Sequence, residues 1–168
     1  RVCSNRLISQ KYVFCYFLGD DDDLRKFASE YAFKHKLKLV NIPHLLGKVR
    51  TCDINFGDIR TSKVSPGDFL SLIKHAEVVF TDSFHGSVFS IEYNVPFVVF
   101  ERKTKSSMGS RISTLVELAG CTSRYIESIE DCSIEHIERV LMSNNIYDLQ
   151  NINILRKEST DYLLNNLQ

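Results

Sequence analysis

The segment EVVFTDSFHGSVFSIEYNVPFVVFE, residues 77–101, decides the fold of this chain. Residues 77–81 and 97–100 are short apolar runs rich in β-branched and aromatic side chains, which favour strands. Between them, residues 81–86 form a polar turn with a glycine, and residues 87–93 have the length of a short helix. An apolar run on each side of a helix predicts two parallel strands that are buried on both faces.

The polar turn in this segment predicts a binding site. Ligands of open α/β sheets bind outside the carboxyl ends of the parallel strands. Residues 82–87 follow the first strand and open the helix, so N–H groups of the first helical turn point outward. These N–H groups and the positive end of the helix dipole favour an anion at this position.

The rest of the chain continues the alternation of strands and helices. Apolar runs predict further strands, and helical periodicity predicts further helices. The strands are expected at 11–18, 37–42 and, as a short edge strand, 124–126, and the helices at 24–32, 66–73, 112–119, 134–141 and 148–167. This order predicts an α/β fold, Rossmann-like and doubly wound, with a mainly parallel sheet flanked by helices.

The length of the chain predicts one domain. A sequence of 168 residues suits a single α/β domain with its own core. Residues 1–10 are expected to be a linker or a strand at the boundary, residues 43–64 an irregular segment, and residues 148–168 a closing helix. Because Arg1 is not a natural start, we expect the chain to be an excised piece of a longer protein.

Composition narrows the classes of function. The formal net charge is zero, which gives no electrostatic reason to expect nucleic acid as a partner. Five cysteines without a CxxC pair argue against structural zinc, and their odd number suits a reducing compartment. No apolar run reaches about 18 residues, so no transmembrane helix is predicted. We expect a cytoplasmic protein that needs no cofactor. The sequence identifies no metal ligands and leaves the need for a metal open.

Two charged segments each have two interpretations. The acids at 20–23 either cap the following helix or bind a divalent metal, and the spacing and glycine of an EF-hand are absent. The basic loop after the strand at 97–100 contains Arg102 and Lys105 and leads to Arg111. It is either a solvated loop or a cationic clamp for an anion at the same edge of the sheet.

The turn at 82–87 supplies the candidate catalytic group. His85 is either a structural histidine or a proton donor and anion ligand, because imidazole exchanges protons near neutral pH. Asp82 is expected to orient His85 or to cap the helix, and Gly86 to let a ligand approach the backbone closely. Ser83 and Ser87 have hydroxyl groups that can donate to a phosphate or carboxylate.

Several motifs in this region together resemble those of one enzyme family. They are FTDSFHGSVFSI at 80–91, NVPFVVF at 94–100, SRISTL at 110–115 and SPGDFL at 65–70. In this order they resemble the polysaccharide pyruvyl transferase family. The resemblance covers roughly residues 60–120 well and the flanks loosely.

The resemblance implies the C-terminal half of an enzyme with two Rossmann-like halves, as in GT-B glycosyltransferases. It implies transfer of the enolpyruvyl group of phosphoenolpyruvate to a sugar hydroxyl of a polysaccharide or glycolipid precursor, at the inner face of the membrane or in the cytoplasm. His85 matches the family's donor-site histidine. Ser83 stands where some members have arginine, and Arg111, Arg102, Lys105 or Arg60 are the candidates to replace it. The acceptor site would lie on the missing N-terminal half.

Two other functions remain open from the sequence. The residues from His85 to Pro96 loosely echo the pattern of nucleotide-sugar glycosyltransferases, in which Glu92 would contact a ribose. The second glycine of that pattern is missing. The remaining alternative is a noncatalytic half-domain that binds glycans.

Overall fold

The computed structural model describes residues 3–43, 49–102, 109–130, 132–142, 147 and 149–166. Within these residues, six parallel strands form one sheet in the order β3-β2-β1-β4-β5-β6. The strands are β1 Tyr12–Tyr16, β2 Lys38–Asn41, β3 Ile59–Arg60, β4 Val78–Thr81, β5 Phe97–Phe100 and β6 Tyr125–Ile126. Every pair of neighbouring strands is parallel, as the continuous apolar runs predict.

Six described helices cover the sheet on both faces. They are α1 Asp22–Lys34, α2 Pro66–Lys74, α3 Phe84–Glu92, α4 Gly109–Leu118, α5 Ile134–Met142 and α6 Leu149–Asn166. The apolar sides of α1 and α5 pack on one face, and those of α2, α3 and α4 pack on the other. The predicted doubly wound, Rossmann-like fold is therefore confirmed.

The core explains why the central strands are apolar throughout. In β1, Val13 and Cys15 face α1, whereas Tyr12 and Phe14 face α2. Successive side chains of a strand point to opposite faces, so a strand covered on both sides needs apolar residues at every position. All residues of β4 and β5 are likewise buried.

Two helix starts follow the capping rules. Asp21 accepts a hydrogen bond from the amide of Asp23 and caps α1, which confirms the capping interpretation of the acids at 20–23. At α2, Ser65 and Asp68 bond reciprocally to each other's backbone amides and form a capping box. Helix α2 therefore begins where the sequence predicts, whereas α1 begins two residues before the predicted Leu24, with two of the acids in its first turn.

Two of the differences from the predicted boundaries affect the edge of the sheet and the site. Helix α3 begins at Phe84 rather than at residue 87, so His85 and Gly86 lie in its first turn. The segment 43–64, expected to be irregular, contains the strand β3, which pairs with Val40 and Asn41. A strand of two residues is too short to show a hydrophobic period in the sequence. Two residues are nevertheless enough to pair with the existing strand β2.

The closing helix α6 is the least buried of the helices described. Its residues from 157 to 166 are all exposed, including the apolar side chains of Tyr162, Leu163 and Leu164. In the described ranges no helix has both the length and the apolar character to cross a membrane. At the other end, residues 4–9 have no regular secondary structure, and the Ser4 amide donates to the carbonyl of Gly67.

The strand order creates a switch point at the centre of the sheet. From β1 the chain adds β2 and β3 on one side, then crosses back through α2 to place β4 on the other side of β1. The loops after β1 and β4 therefore leave in opposite directions and open a crevice between them. Open α/β sheets bind their ligands at this point.

The five cysteines all have free thiols, and their burial predicts two reactivity classes. Burial raises the pKa of the Cys121 thiol to about 11 and raises that of Cys15 further still. Because the thiolate is the reactive form, we expect both to resist a disulfide reagent at pH 8 in the folded chain. Titration with and without denaturant should reveal at least two additional thiols on unfolding. Complete labelling of the folded chain at its unfolded-state rate would contradict this prediction.

Candidate functional site

A buried threonine joins the carboxyl ends of β1 and β4. The Thr81 hydroxyl donates to the carbonyl of Tyr16 over 2.7 Å and accepts from the amide of Ser83 over 3.0 Å. Thr81 is fully buried, so these bonds are shielded from water. This one hydroxyl fixes the spacing of the two central strands and the point at which α3 begins.

The start of α3 packs directly against that threonine. A Cβ atom added at Gly86 would lie 2.5 Å from Thr81 Oγ1 and 3.0 Å from Thr81 Cβ. The space at Gly86 is therefore needed for contact between helix and strand, which is a structural reason for a glycine at this position.

We therefore expect Gly86→Ala to destabilise the chain by about 1–3 kcal/mol, the usual cost of overpacking. Equilibrium unfolding in urea measures this loss. The double variant with Thr81→Ala should lose less stability than the sum of the two single variants, because the closest clashing atom, Thr81 Oγ1, is then absent. Fully additive losses in the double variant, or an unchanged stability in Gly86→Ala, would contradict the packing argument.

The first turn of α3 offers backbone donors to the crevice. Ser83 is the N-cap residue, and the Ser87 amide bonds to its carbonyl. This leaves the N–H groups of Phe84, His85 and Gly86, for which no acceptor is described. These three N–H groups lie within the predicted segment 82–87, whereas the Ser87 amide is bonded within the helix start.

The two serines are less available than predicted. Ser87 is fully buried, and its hydroxyl donates to the carbonyl of Ser83 over 3.1 Å. Ser83 is also buried. The backbone amides of α3 are therefore better placed than the Ser87 hydroxyl to contact a ligand.

Two predicted site residues meet at Phe84. The His85 ring is exposed and contacts the Phe84 ring edge-on, with 6.1 Å between centroids. The exposed guanidinium of Arg111, in the first turn of α4, lies 5.7 Å from the centroid of the same Phe84 ring. Phe84, which is half-buried, holds an imidazole and a guanidinium on the same rim of the crevice.

Asp82 has neither of its predicted roles among the described hydrogen bonds. One carboxylate oxygen accepts from the amide of Leu18 and the other from the amide of Gly19, each over 2.6 Å. The carboxylate also accepts from Nε of Arg102 over 3.3 Å, while the second Nη of Arg102 donates to the Asp82 carbonyl over 3.0 Å. Asp82 therefore connects the loops after β1, β4 and β5, and it neither orients His85 nor caps α3.

The loop after β1 is also held from its other side. Arg25 donates to the carbonyl of Gly19 over 2.9 Å, and Arg50 donates to the carbonyl of Leu18. Arg25 is 4% exposed and forms an ion pair of 2.8 Å with Asp53, which is 1% exposed. Both amides and both carbonyls of Leu18 and Gly19 are thus bonded to charged side chains.

Sequence reasoning missed Arg25 and Asp53. A usable signal exists for Arg25, because Arg25, Ala28 and Ala32 recur at helical spacing and share the buried side of α1. A buried arginine on that side needs an anionic partner. The sequence does not reveal that Asp53, in a short 3₁₀ turn at Thr51–Asp53, is that partner.

Two further candidates, Arg60 and Glu92, lie away from the crevice. Arg60 is exposed on the edge strand β3, two strands away from β1. Glu92 is the last residue of α3, at the opposite end from His85, and pairs with Arg156 of α6. Lys105 lies outside the described residues.

An acidic cavity borders the site on the side of α1. It has a volume of about 650 Å³ and is lined by Asp20, Asp22, Val49, Arg50, Thr51 and Cys52. Its two carboxylates outnumber its one guanidinium, so the net charge of the lining disfavours an anionic ligand. An anion is therefore expected on the side of Arg102 and His85, whereas the acidic side suits a neutral polar group.

The strand order defines a Rossmann-like domain with polar groups at its switch point. The family model described as polysaccharide pyruvyl transferase matches residues 4–104. The chain belongs to the polysaccharide pyruvyl transferase family, which confirms the resemblance noted in the sequence. A comparison with curated proteins gave no significant match.

Solved structures share the fold at low sequence identity. The UDP-GlcNAc 2-epimerase of Methanocaldococcus jannaschii, in complex with UDP-GlcNAc and UDP, has a TM-score of 0.57 at 16% identity, over 90% of this chain and 46% of its own. The glycosyltransferase SnogD from Streptomyces nogalater has a TM-score of 0.51 at 15% identity, over 91% and 40%. The calicheamicin glycosyltransferase CalG4 has a TM-score of 0.52 at 16% identity, over 96% and 44%. The chain spans less than half the length of each.

Proposed function

We propose that this chain is the donor-binding part of an enzyme that transfers the pyruvyl group of phosphoenolpyruvate to a sugar. The observation that carries the proposal is the position of His85 in this family member. Its imidazole is exposed in the first turn of α3, at the switch point and on the same rim as Arg111. Phosphoenolpyruvate has a phosphate and a carboxylate, and the crevice has donors for both.

The donor groups around the crevice divide between the two anionic groups of the substrate. The free N–H groups of the first turn of α3 suit the phosphate, since a helix start stabilises negative charge. The guanidinium of Arg111 suits the carboxylate, because its fork of donors matches two oxygens at once. Arg102, paired with Asp82, has further N–H donors next to the peptide that precedes α3.

In this proposal His85 acts as the general acid. It gives a proton to the methylene carbon of phosphoenolpyruvate, and positive charge develops at the carbon bearing the phosphate ester oxygen. One sugar hydroxyl adds to that carbon, and a second hydroxyl of the same sugar then displaces inorganic phosphate. The products are a pyruvate ketal and phosphate, and the hydroxyl protons restore His85 and protonate the leaving phosphate. The sugar binds outside this chain or in the acidic cavity.

A ligand panel tests the proposal on the full native polypeptide. We expect phosphoenolpyruvate to raise the melting temperature in a concentration-dependent way, since a ligand that binds only the folded state stabilises it. UDP, UDP-GlcNAc and inorganic phosphate serve as comparisons. A larger shift with UDP-GlcNAc than with phosphoenolpyruvate would replace the proposal by the glycosyltransferase alternative. A shift with a glycan alone would favour the noncatalytic half-domain.

The nucleotide-sugar alternative is disfavoured by one observation. Glu92, its candidate ribose ligand, pairs with Arg156 and lies at the end of α3 away from the crevice. His85 and Glu92 are separated by two helical turns, about 10 Å along α3, so the ion pair with Arg156 and not the distance argues against Glu92 as a ribose ligand.

A further inference from the structure

We propose that Asp82 is a positioning residue that fixes Arg102 as an anion-binding group at the floor of the crevice. This inference rests on the proposed function and names the side chain that takes the place of an arginine at position 83. Asp82 then orients the guanidinium of Arg102, and not the imidazole of His85 as the sequence suggested.

The contacts between Asp82 and Arg102 define one orientation of the guanidinium. Nε of Arg102 donates to the Asp82 carboxylate over 3.3 Å, and one Nη donates to the Asp82 main-chain carbonyl over 3.0 Å. Two donors of one planar group, bonded to two acceptors of one residue, leave little freedom of rotation. The guanidinium therefore lies against the peptide that joins Asp82 to Ser83, directly before α3.

Burial distinguishes the two partners of this pair. The Asp82 side chain is 1% exposed, whereas that of Arg102 is 19% exposed. Asp82 is thus entirely occupied by protein donors, including the Leu18 and Gly19 amides. Arg102 has five N–H donors, of which the described hydrogen bonds use two, and its side chain is partly exposed.

The shape of the neighbouring loop supports the same role. A Cβ atom at Gly19 would lie 2.9 Å from Asp82 Oδ2 and 3.2 Å from Arg102 Cγ. The arginine stem therefore passes over Gly19 with no room for a side chain. Three loops meet so closely only because position 19 is a glycine, and their meeting point is this ion pair.

The experiment measures affinities for phosphoenolpyruvate and for inorganic phosphate by calorimetry on the full native polypeptide. Arg102→Ala is expected to weaken phosphoenolpyruvate binding about 10- to 100-fold, the range for a hydrogen bond to a charged group. Arg102→Lys should restore little, because an ammonium cannot make both contacts. Arg139→Ala, an exposed arginine of α5, is the matched control and should bind as the parent does.

Chemical rescue separates positioning from a structural role. Millimolar guanidinium should restore part of the affinity in Arg102→Ala, at a concentration that leaves its melting temperature unchanged, whereas sodium chloride at equal ionic strength should not. Rescue should fail in Asp82→Asn/Arg102→Ala. If the double variant does not fold, Gly19→Ala is the second test variant. Its added methyl group displaces the Arg102 side chain while both charges are kept, so it should weaken phosphoenolpyruvate binding several-fold.

The outcomes separate the two proposals. Unchanged affinity in Arg102→Ala, with normal binding by the parent, overturns the role of Arg102 and Asp82 and leaves the proposed function standing. Binding of phosphate that depends on Arg102, with no additional affinity for phosphoenolpyruvate, supports the anion group and overturns the proposed donor. Equal rescue with and without Asp82 shows that Asp82 does not position the guanidinium and overturns the inference.

Discussion

His85→Ala in the full native polypeptide is expected to release phosphate from phosphoenolpyruvate about 10²- to 10⁴-fold more slowly in the presence of a sugar acceptor, the usual range for loss of a general acid. The loss should appear mainly in kcat, because the proton is transferred in the transition state, whereas backbone donors and arginines bind the ground state. A continuous assay of inorganic phosphate measures both constants.

A second histidine provides the matched control for this substitution. His136 is also exposed and also lies in the first turn of a helix, α5. The neighbouring Glu135 pairs with Lys34, the last residue of α1. This end of α1 lies at the edge of the sheet opposite the crevice. His136→Ala should therefore turn over as the parent does. Parental turnover in His85→Ala would remove that imidazole from the mechanism, and equal losses in both variants would indicate a nonspecific effect.

Asp53→Ala is expected to lower the free energy of unfolding by about 3–5 kcal/mol, the usual cost of removing one partner of a buried ion pair. The Arg25 guanidinium would remain buried between the rings of Phe17 and Phe56, at 5.7 Å and 5.6 Å from their centroids, without its carboxylate. Equilibrium unfolding in urea, with the slope checked for two-state behaviour, measures the loss.

The control for the buried pair is an exposed one. Glu77 pairs with Lys11 over 3.5 Å, with 42% and 74% of their side chains exposed, so Glu77→Ala should cost less than about 1 kcal/mol. Removing both charges in Arg25→Met/Asp53→Leu should recover part of the loss, since no unpaired charge then remains buried. A cost below about 1 kcal/mol for Asp53→Ala would show that water reaches the pair.

The fold was predictable from the sequence because strands and helices have local sequence signals. The apolar run at 97–100 is a strand with the same bounds in the structure, and Ser65 with Pro66 marks the start of α2. Such elements depend on periodicity, capping and turn residues that lie next to each other in the chain. The alternation of strands and helices then leaves few possible topologies.

The contacts of the site were not predictable in the same way. The sequence suggests that Asp82 caps a helix, because aspartate often precedes helices. In the structure its hydrogen-bond partners include Leu18 and Arg102, which are 64 and 20 residues away in the chain. From the sequence, Gly86 suggests room for a ligand, whereas in the structure a side chain at this position would clash with Thr81 of the preceding strand. Tertiary contacts decide both cases, and a single sequence does not encode them in any local pattern.

The bonding of Leu18 and Gly19 has a consequence for the dynamics of the chain. The two residues belong to a loop, yet buried Asp82 accepts the amide protons of both, and Arg50 and Arg25 donate to their carbonyls. Amide exchange requires an opening that exposes the proton to solvent. These two amides should therefore exchange with deuterium as slowly as those of the central strands, so the rigid unit extends beyond the last strand residue to the bottom of the crevice.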